Sequence, residues 1–330
     1  MRTRSGFLNI LTATGLLIIA AAQWAAPRSF AAEQSWQVPA WLNSHIGEGK
    51  GQIAQVVLQR ARALYLRKVH EGAVKNPCYF AMDATRPNDF GGRFYIICEA
   101  KQSFSAVAAG HGGGRHLRGI ADFANGKRCA KNFGNALDSK LTTGGAYVTA
   151  ETTTSFKGYY RISAKKDAVL LRSFVQFDGE DGTANARQRE IGGHAATLLR
   201  GVCLQKHPGS PYADHEGYVP FGTLEDYADG RSSGCTSWPR PDAEQIVAMV
   251  KADPATLYIY PEAADIGAVA RAVKARQPLR DAGLYWNASC LKDIHVPEFW
   301  PEETLGPLLA RYAKDHPPGP PQPTPHCKRQ

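Results

Sequence analysis

Seven cysteines behind an apolar leader are the tightest limit on what this chain can become. They stand at positions 78, 98, 129, 203, 235, 290 and 327. Arg2 and Arg4 precede an apolar run from Leu8 to Ala22, and the small-residue site Ser29-Phe30-Ala31 follows it. Residues 1–31 therefore read as a secretory signal peptide cleaved near Ala31, since the run is short for a membrane span and its flank is cleavable. Export carries the cysteines into a compartment where disulfides persist. An odd count leaves one thiol over, and spacing alone fixes neither the pairing nor which one stays free. None of the spacings reads as a zinc ribbon or a Cys-x-x-Cys redox pair, so no metal and no cofactor is expected.

The formal charge is +9, and a leader carrying Arg2, Arg4 and Arg28 but no acid takes about three of those charges with it. A basic mature protein suits an anionic polymer outside the membrane. Nucleic acid is not expected as a partner, because no recognisable motif accompanies the charge. No stable membrane insertion is expected after cleavage, and oligomeric state is left open.

From Gln52 to Arg67, residues Ile53, Val56, Val57, Ala61 and Leu64 recur at helical spacing. Runs rich in β-formers follow at Cys78 to Ala84, Arg93 to Cys98, Phe104 to Ala109, Ala146 to Glu151, Gly158 to Ile162, Val169 to Phe177 and Thr256 to Tyr260. Pro241, Asp242 and Glu244 open a helix whose apolar face is Ile246, Met249 and Val250. Beyond Pro261 come helical stretches near Ala268 to Lys274 and Glu302 to Ala313, then the proline-rich Pro317 to Pro325. The fold class is mainly β with flanking helices. No internal repeat of fixed period is present, which excludes solenoids and propellers.

Arg231-Ser232-Ser233-Gly234-Cys235 places a thiol in a glycine-containing turn ahead of a helix. Small neighbours there let backbone N–H groups approach a developing oxyanion, and polar ones help to stabilise a thiolate. A thiolate needs a base, and the candidate is His194 in Ile191-Gly192-Gly193-His194-Ala195. His215 is a rival that lies closer in sequence. Ser232, Ser233 and Gly234 are candidate supports of the oxyanion, with a plain turn as the alternative for the serines. Arg231 could hold a substrate carboxylate. The glycine-rich segment Gly110 to His116 lacks the ending of a phosphate loop and the carboxylate of a metal site, and reads as a loop bordering the cleft.

The string Asn185-Ala186-Arg187-x-Arg189-x-Ile191-x-x-His194, followed by Arg231-Ser232-x-Gly234-Cys235, resembles the murein L,D-transpeptidase catalytic domain family, in its YkuD-like branch. Ala109-Gly110-His111-Gly112, Gly145 to Glu151 and Lys157-Gly158-Tyr159 are similar to further blocks of that family in the same order. The chain departs from the pattern at Ala195, where glycine is usual, and at Thr236, where proline is usual. Its interval from His194 to Cys235 is also about doubled, which an insertion near 203–223 accounts for.

The resemblance implies a β-sandwich or barrel-like L,D-transpeptidase (YkuD-like) catalytic domain over residues 77–263. A helical lead-in over 32–76 would precede it, and a helical appendage with a proline-rich tail would occupy 264–330. It implies a cysteine-dependent acyltransferase of the periplasm or cell envelope acting on peptidoglycan stem peptides. Cys235 would be nucleophile and His194 base, and Arg231, Tyr147, Tyr159 and His111 would lie on the substrate side. Transfer to an amine would cross-link stems, and transfer to water would be L,D-carboxypeptidase activity.

Overall fold

Period-two alternation builds the centre of the molecule. A computed structural model describes residues 37–88, 91–227 and 231–328, so the expected signal peptide lies outside the described residues. Helix α1 (Gln55–His70) leads into an antiparallel meander of β1 (Cys78–Asp83), β2 (Phe94–Cys98) and β3 (Ser103–Val107). Short strands β4 (His111–Gly112), β5 (His116–Leu117), β6 (Ala121–Asp122) and β7 (Asn132–Gly134) follow. Two long antiparallel strands come next, β8 (Gly145–Ser163) and β9 (Lys166–Gly179). The chain continues through β10 (Gly192–Ala195), β11 (Thr197–Lys206), β12 (Tyr218–Asp226), β13 (Arg231–Ser232) and β14 (Thr236–Trp238). Helix α2 (Arg240–Val250), β15 (Thr256–Tyr260), α3 (Ala263–Lys274), α4 (Ala288–Ile294), β16 (Glu298–Trp300) and α5 (Glu302–Asp315) complete it.

The principal sheet runs β14-β10-β9-β8-β15-β1-β2-β3 and is mixed, with β1 parallel to β15 and β10 parallel to β14. Strands β1, β2 and β15 are buried along their whole length, so both faces must be covered. Tyr79, Ala81, Tyr95, Ile97, Tyr258 and Tyr260 face α1, which answers with Val57, Leu58, Ala61 and Leu64. The alternate residues Phe80, Met82, Phe94, Ile96, Leu257 and Ile259 face a second core with Trp238 and the α2 residues Ala243, Ile246 and Val250. The expected mainly β domain with a mixed sheet and flanking helices is what forms.

One expectation about organisation changes. The strands read at Ala146 to Glu151 and Gly158 to Ile162 are parts of one strand, β8, whose register with β9 shifts at bulges. Its start pairs with β15 in the centre, its far half pairs with β12 of the β11–β12 hairpin, and β9 runs beside it from Tyr147 to Ser163. Residues 203–223, expected as an insertion, lie within that hairpin. The C-terminal stretch packs into the same compact unit as the strands before it. Residues from Val38 onward form one compact unit, with β16 paired to β7 and Leu305 and Leu309 of α5 packed with Leu117, Phe123 and Leu141.

Disulfides join Cys78 to Cys98, Cys129 to Cys290 and Cys203 to Cys327. The last two close loops of 161 and 124 residues, the kind that restricts an unfolded chain most. The tail from Pro317 to Pro325 is exposed and without regular structure, and its end is fastened to β11 through Cys327. Three disulfides fit an exported protein. Among the described residues no helix is long and apolar enough to cross a membrane.

Candidate active site

Pairing of six cysteines leaves Cys235 as the free thiol. It sits half-buried at the end of the turn between β13 and β14. Strand β14 pairs with β10 in a register that sets His194 opposite Ser237. Directly paired residues point to the same face, and Cys235 precedes Ser237 by two, so the thiol and the imidazole emerge on one side of the sheet. Both line the same cleft, of about 920 Å³.

The cleft floor is one face of three strands. Thr153 and Ser155 of β8, Arg172, Phe174 and Gln176 of β9 and His194 of β10 all line it. The register pairs Thr153 with Phe174, Ser155 with Arg172 and Phe174 with His194. The opposite face of the same strands carries Val175 and Phe177 into the core. Leu198, Arg200, Glu225 and Tyr227 from the β11–β12 hairpin form the far wall.

Glycines bring the strands that carry His194 and Cys235 together. A side chain at Gly193 would strike the Trp238 ring, with its Cβ 2.0 Å from the nearest ring atom, and one at Gly192 would meet Phe174 at 2.4 Å. The Trp238 indole thus fills the space under Gly193, and the His194 imidazole stacks on Phe174 at a centroid distance of 6.3 Å. Gly234 has φ +111°, a conformation that side chains rarely take. Its N–H donates to the Ser232 hydroxyl at 3.1 Å, and that hydroxyl donates to the Cys235 carbonyl. Ser232 and Gly234 therefore shape the turn that presents the thiol. Ser233 lies exposed on the rim.

His194 has the features of a base. Its Nδ1–H donates to the Ala195 carbonyl at 2.8 Å, an assignment that fixes the tautomer and leaves the Nε2 lone pair as acceptor. Burial lowers its pKa below 6.5, the Ala195 carbonyl opposes that, and Arg172 and Lys157 add to it. The imidazole is neutral at pH 7. Burial likewise pushes the Cys235 thiol up, against the pull of a backbone N–H and of Arg172 and Arg189. At rest the thiol hydrogen bonds to the Glu190 carbonyl at 3.5 Å. The pair is thus a neutral thiol and a neutral imidazole, a combination that can exchange a proton.

The upstream block has a structural share in the site. Arg189 is half-buried, and its guanidinium donates to the Leu141 carbonyl at 2.8 Å and to the Thr143 hydroxyl. It pins the 139–143 loop beside the thiol turn. Arg187 lies outside, holding Glu151 and Asp178. Asn185 donates to the Asn135 carbonyl and to Glu302 on α5.

Other candidates are placed elsewhere. His111 is wholly buried, held between Arg93 at 2.7 Å and the Gly126 carbonyl at 3.0 Å, and lies on β4 beneath Arg231. Tyr147 is buried with its hydroxyl on the Thr143 carbonyl, and Tyr159 is buried with its hydroxyl on Ser210. None of the three borders the cleft, since each is consumed in packing. His215 is about 90% exposed on the hairpin turn and is also absent from the cleft. Arg231 does line it, at the rim, with Nη1 donating to the Asn125 carbonyl at 2.7 Å.

Sequence reasoning missed Arg172, Phe174, Lys157 and Tyr227. Alternation along 151–157 and 172–176 was the signal for the first three. Among the described residues no set of three or more His, Cys, Asp or Glu side chains converges as metal ligands would. Compared with protein-family models, with curated proteins and with solved structures, the chain matches none.

Proposed function

We propose that the protein is a peptidoglycan L,D-transpeptidase with a YkuD-like catalytic domain, working in the periplasm or cell envelope. The observation that carries this reading is the meeting, in one cleft, of the free thiol of Cys235 and a histidine whose second nitrogen is fixed by a carbonyl. The motif resemblance adds the substrate class. A cleft of about 920 Å³ is of the size that accommodates a stem peptide.

In this mechanism Cys235 Sγ attacks the carbonyl joining the third stem residue to a D-amino acid, while His194 Nε2 takes the thiol proton. The tetrahedral intermediate collapses to a thioester, and His194 returns the proton to the departing amine. A second amine, or water, then gives up a proton to His194 as it attacks the thioester and frees the thiol. Arg172 and Arg189 favour the thiolate-like charge that develops on sulfur. The Ala195 carbonyl does for His194 what a carboxylate does in other triads, orienting the ring and stabilising its protonated form.

Purified protein incubated with tetrapeptide-stem muropeptides is expected to give cross-linked dimers together with released D-alanine. Tripeptides and D-alanine without dimers would reassign the protein as a cysteine hydrolase of wall peptides. Binding to murein without any product, unchanged in Cys235→Ala, would make it a wall-binding protein of the same fold.

A further inference from the structure

We infer that Arg172 and Lys157 form an anion-holding pair on the cleft floor that takes a carboxylate of the compound on which Cys235 acts. The inference deepens the function proposed above and rests on it for the identity of the reaction, though not for the existence of the anion site.

Both residues belong to the face that carries His194. Arg172 is paired with Ser155 across β8 and β9, two residues before Phe174, on which the imidazole stacks. Lys157 lies two residues beyond Ser155, at the point where the register jumps from Phe156 opposite Leu171 to Gly158 opposite Leu170. It is the extra residue of a β-bulge, a device that re-aims a side chain and is common beside active sites. The space that a side chain at Gly158 would need is taken by the Pro220 carbonyl and Leu199 of the hairpin, so the bulge is held from the far side.

Like charges are thereby collected on one wall. Burial first, and Arg172 in addition, lower the basicity of Lys157 and His194, and Arg172 lowers the cost of a thiolate at Cys235, so its field reaches both residues. Four acids share the cleft, Glu151, Glu190, Glu225 and Asp226. Glu151 is held by Arg187 and Glu225 by Arg200. Arg172 has the Tyr227 hydroxyl within hydrogen-bonding reach, a neutral partner, and among the described residues neither Arg172 nor Lys157 has a carboxylate within ion-pair distance. Arg231, by contrast, sits at the rim with one nitrogen committed to Asn125.

Two cations on one wall, neither in ion-pair contact with a carboxylate, raise the local concentration of anions, and a guanidinium offers a fork that fits a carboxylate. A cysteine site that releases a terminal amino acid has a carboxylate two bonds from the departing nitrogen. Arg172 and Lys157 stand where such a group can be read, which makes them specificity-determining residues rather than members of the proton-transfer pair.

Two alkylating agents of nearly equal size, iodoacetate and iodoacetamide, report on this charge at Cys235 without any peptide substrate. Their rate ratio cancels the thiolate fraction, which is common to both. Arg172→Gln and Lys157→Gln are each expected to lower the iodoacetate-to-iodoacetamide ratio by about fivefold in low salt, with Arg172→Lys recovering most of it. In parallel, the wild type should act on acid-terminated stem peptides in preference to their C-terminal amides, and Arg172→Gln should lose that preference through KM. A ratio unchanged in both glutamine variants, with Arg161→Gln on the outer surface as control, overturns the anion site. A ratio that falls while no stem peptide is turned over by the wild type upholds the anion site and overturns the proposed function.

Discussion

His194 and His111 make an instructive pair. Both adjoin glycines, both are buried, and both are held below their ordinary basicity chiefly by burial. Each also lies on a strand next to one that flanks Cys235, His194 on β10 beside β14 and His111 on β4 beside β13. Yet His111 spends both nitrogens inside the protein, on Arg93 and on Gly126, whereas His194 spends one, on Ala195. The difference is a single lone pair left facing a cleft. Residue type and local sequence do not separate these two histidines; the count of committed nitrogens does.

The largest expected effect breaks this comparison on its functional side. His194→Gln should slow acylation of Cys235 by about 10²- to 10⁴-fold, the usual yield of a general base, with secondary structure retained. His215→Ala should leave the rate within about twofold, since that ring lies on an exposed turn. Progress curves of acylation at pH 7 read both. A His215 effect equal to that of His194 would mean the hairpin turn folds back over the thiol.

On the structural side, His111→Leu removes a partner from the buried Arg93 guanidinium. It should cost about 3 kcal/mol in urea unfolding, because a buried charge then loses a hydrogen bond. The iodoacetamide labelling rate of Cys235 in the folded protein should stay within about twofold of wild type. Loss of labelling at unchanged stability would place His111 in the reaction after all.

A smaller effect tests the packing beneath His194. Gly193→Ala drives a methyl into the Trp238 ring and should cost about 1–3 kcal/mol by overpacking. Acylation should fall with it, as β10 is pushed from β14. A Gly193→Ala protein of normal stability would show that the Trp238 indole has room to yield.

The smallest effect is in pH. The unfolded chain takes protons on these histidines near 6.5, and the folded one only at lower pH, so stability present above 6.5 is lost as pH falls. Each of the two contributes a slope of at most about 1.4 kcal/mol per pH unit between its unfolded and folded values. Urea midpoints measured from pH 7 to pH 5 should fall, and His111→Leu should flatten the fall. A midpoint that rises on acidification contradicts the burial of both rings.

What the sequence disclosed follows the same division between local and non-local physics. Thr256 to Tyr260 was readable as a strand with its true ends, because Pro254 precedes and Pro261 follows a run of β-formers. The odd thiol was traced to Cys235 by its glycine turn, and the three disulfides agree with that choice. How the C-terminal region attaches was not legible, because it depends on Cys129 meeting Cys290 and on β16 meeting β7, contacts between segments over 160 residues apart. The alternation that exposes Arg172 and Phe174 was visible, but which face would look onto the cleft depends on the β11–β12 hairpin, a tertiary choice. Ala195 contributes a backbone carbonyl, for which no side-chain signal exists.

The most direct test of the central claim, a thiol nucleophile at Cys235 activated by His194, is intact-mass analysis after exposure to a carbapenem, with peptide mapping of the product. The account predicts one adduct per chain, located on Cys235, absent from Cys235→Ala and strongly slowed in His194→Gln. An adduct on another residue, or equal modification of Cys235→Ala, would contradict it.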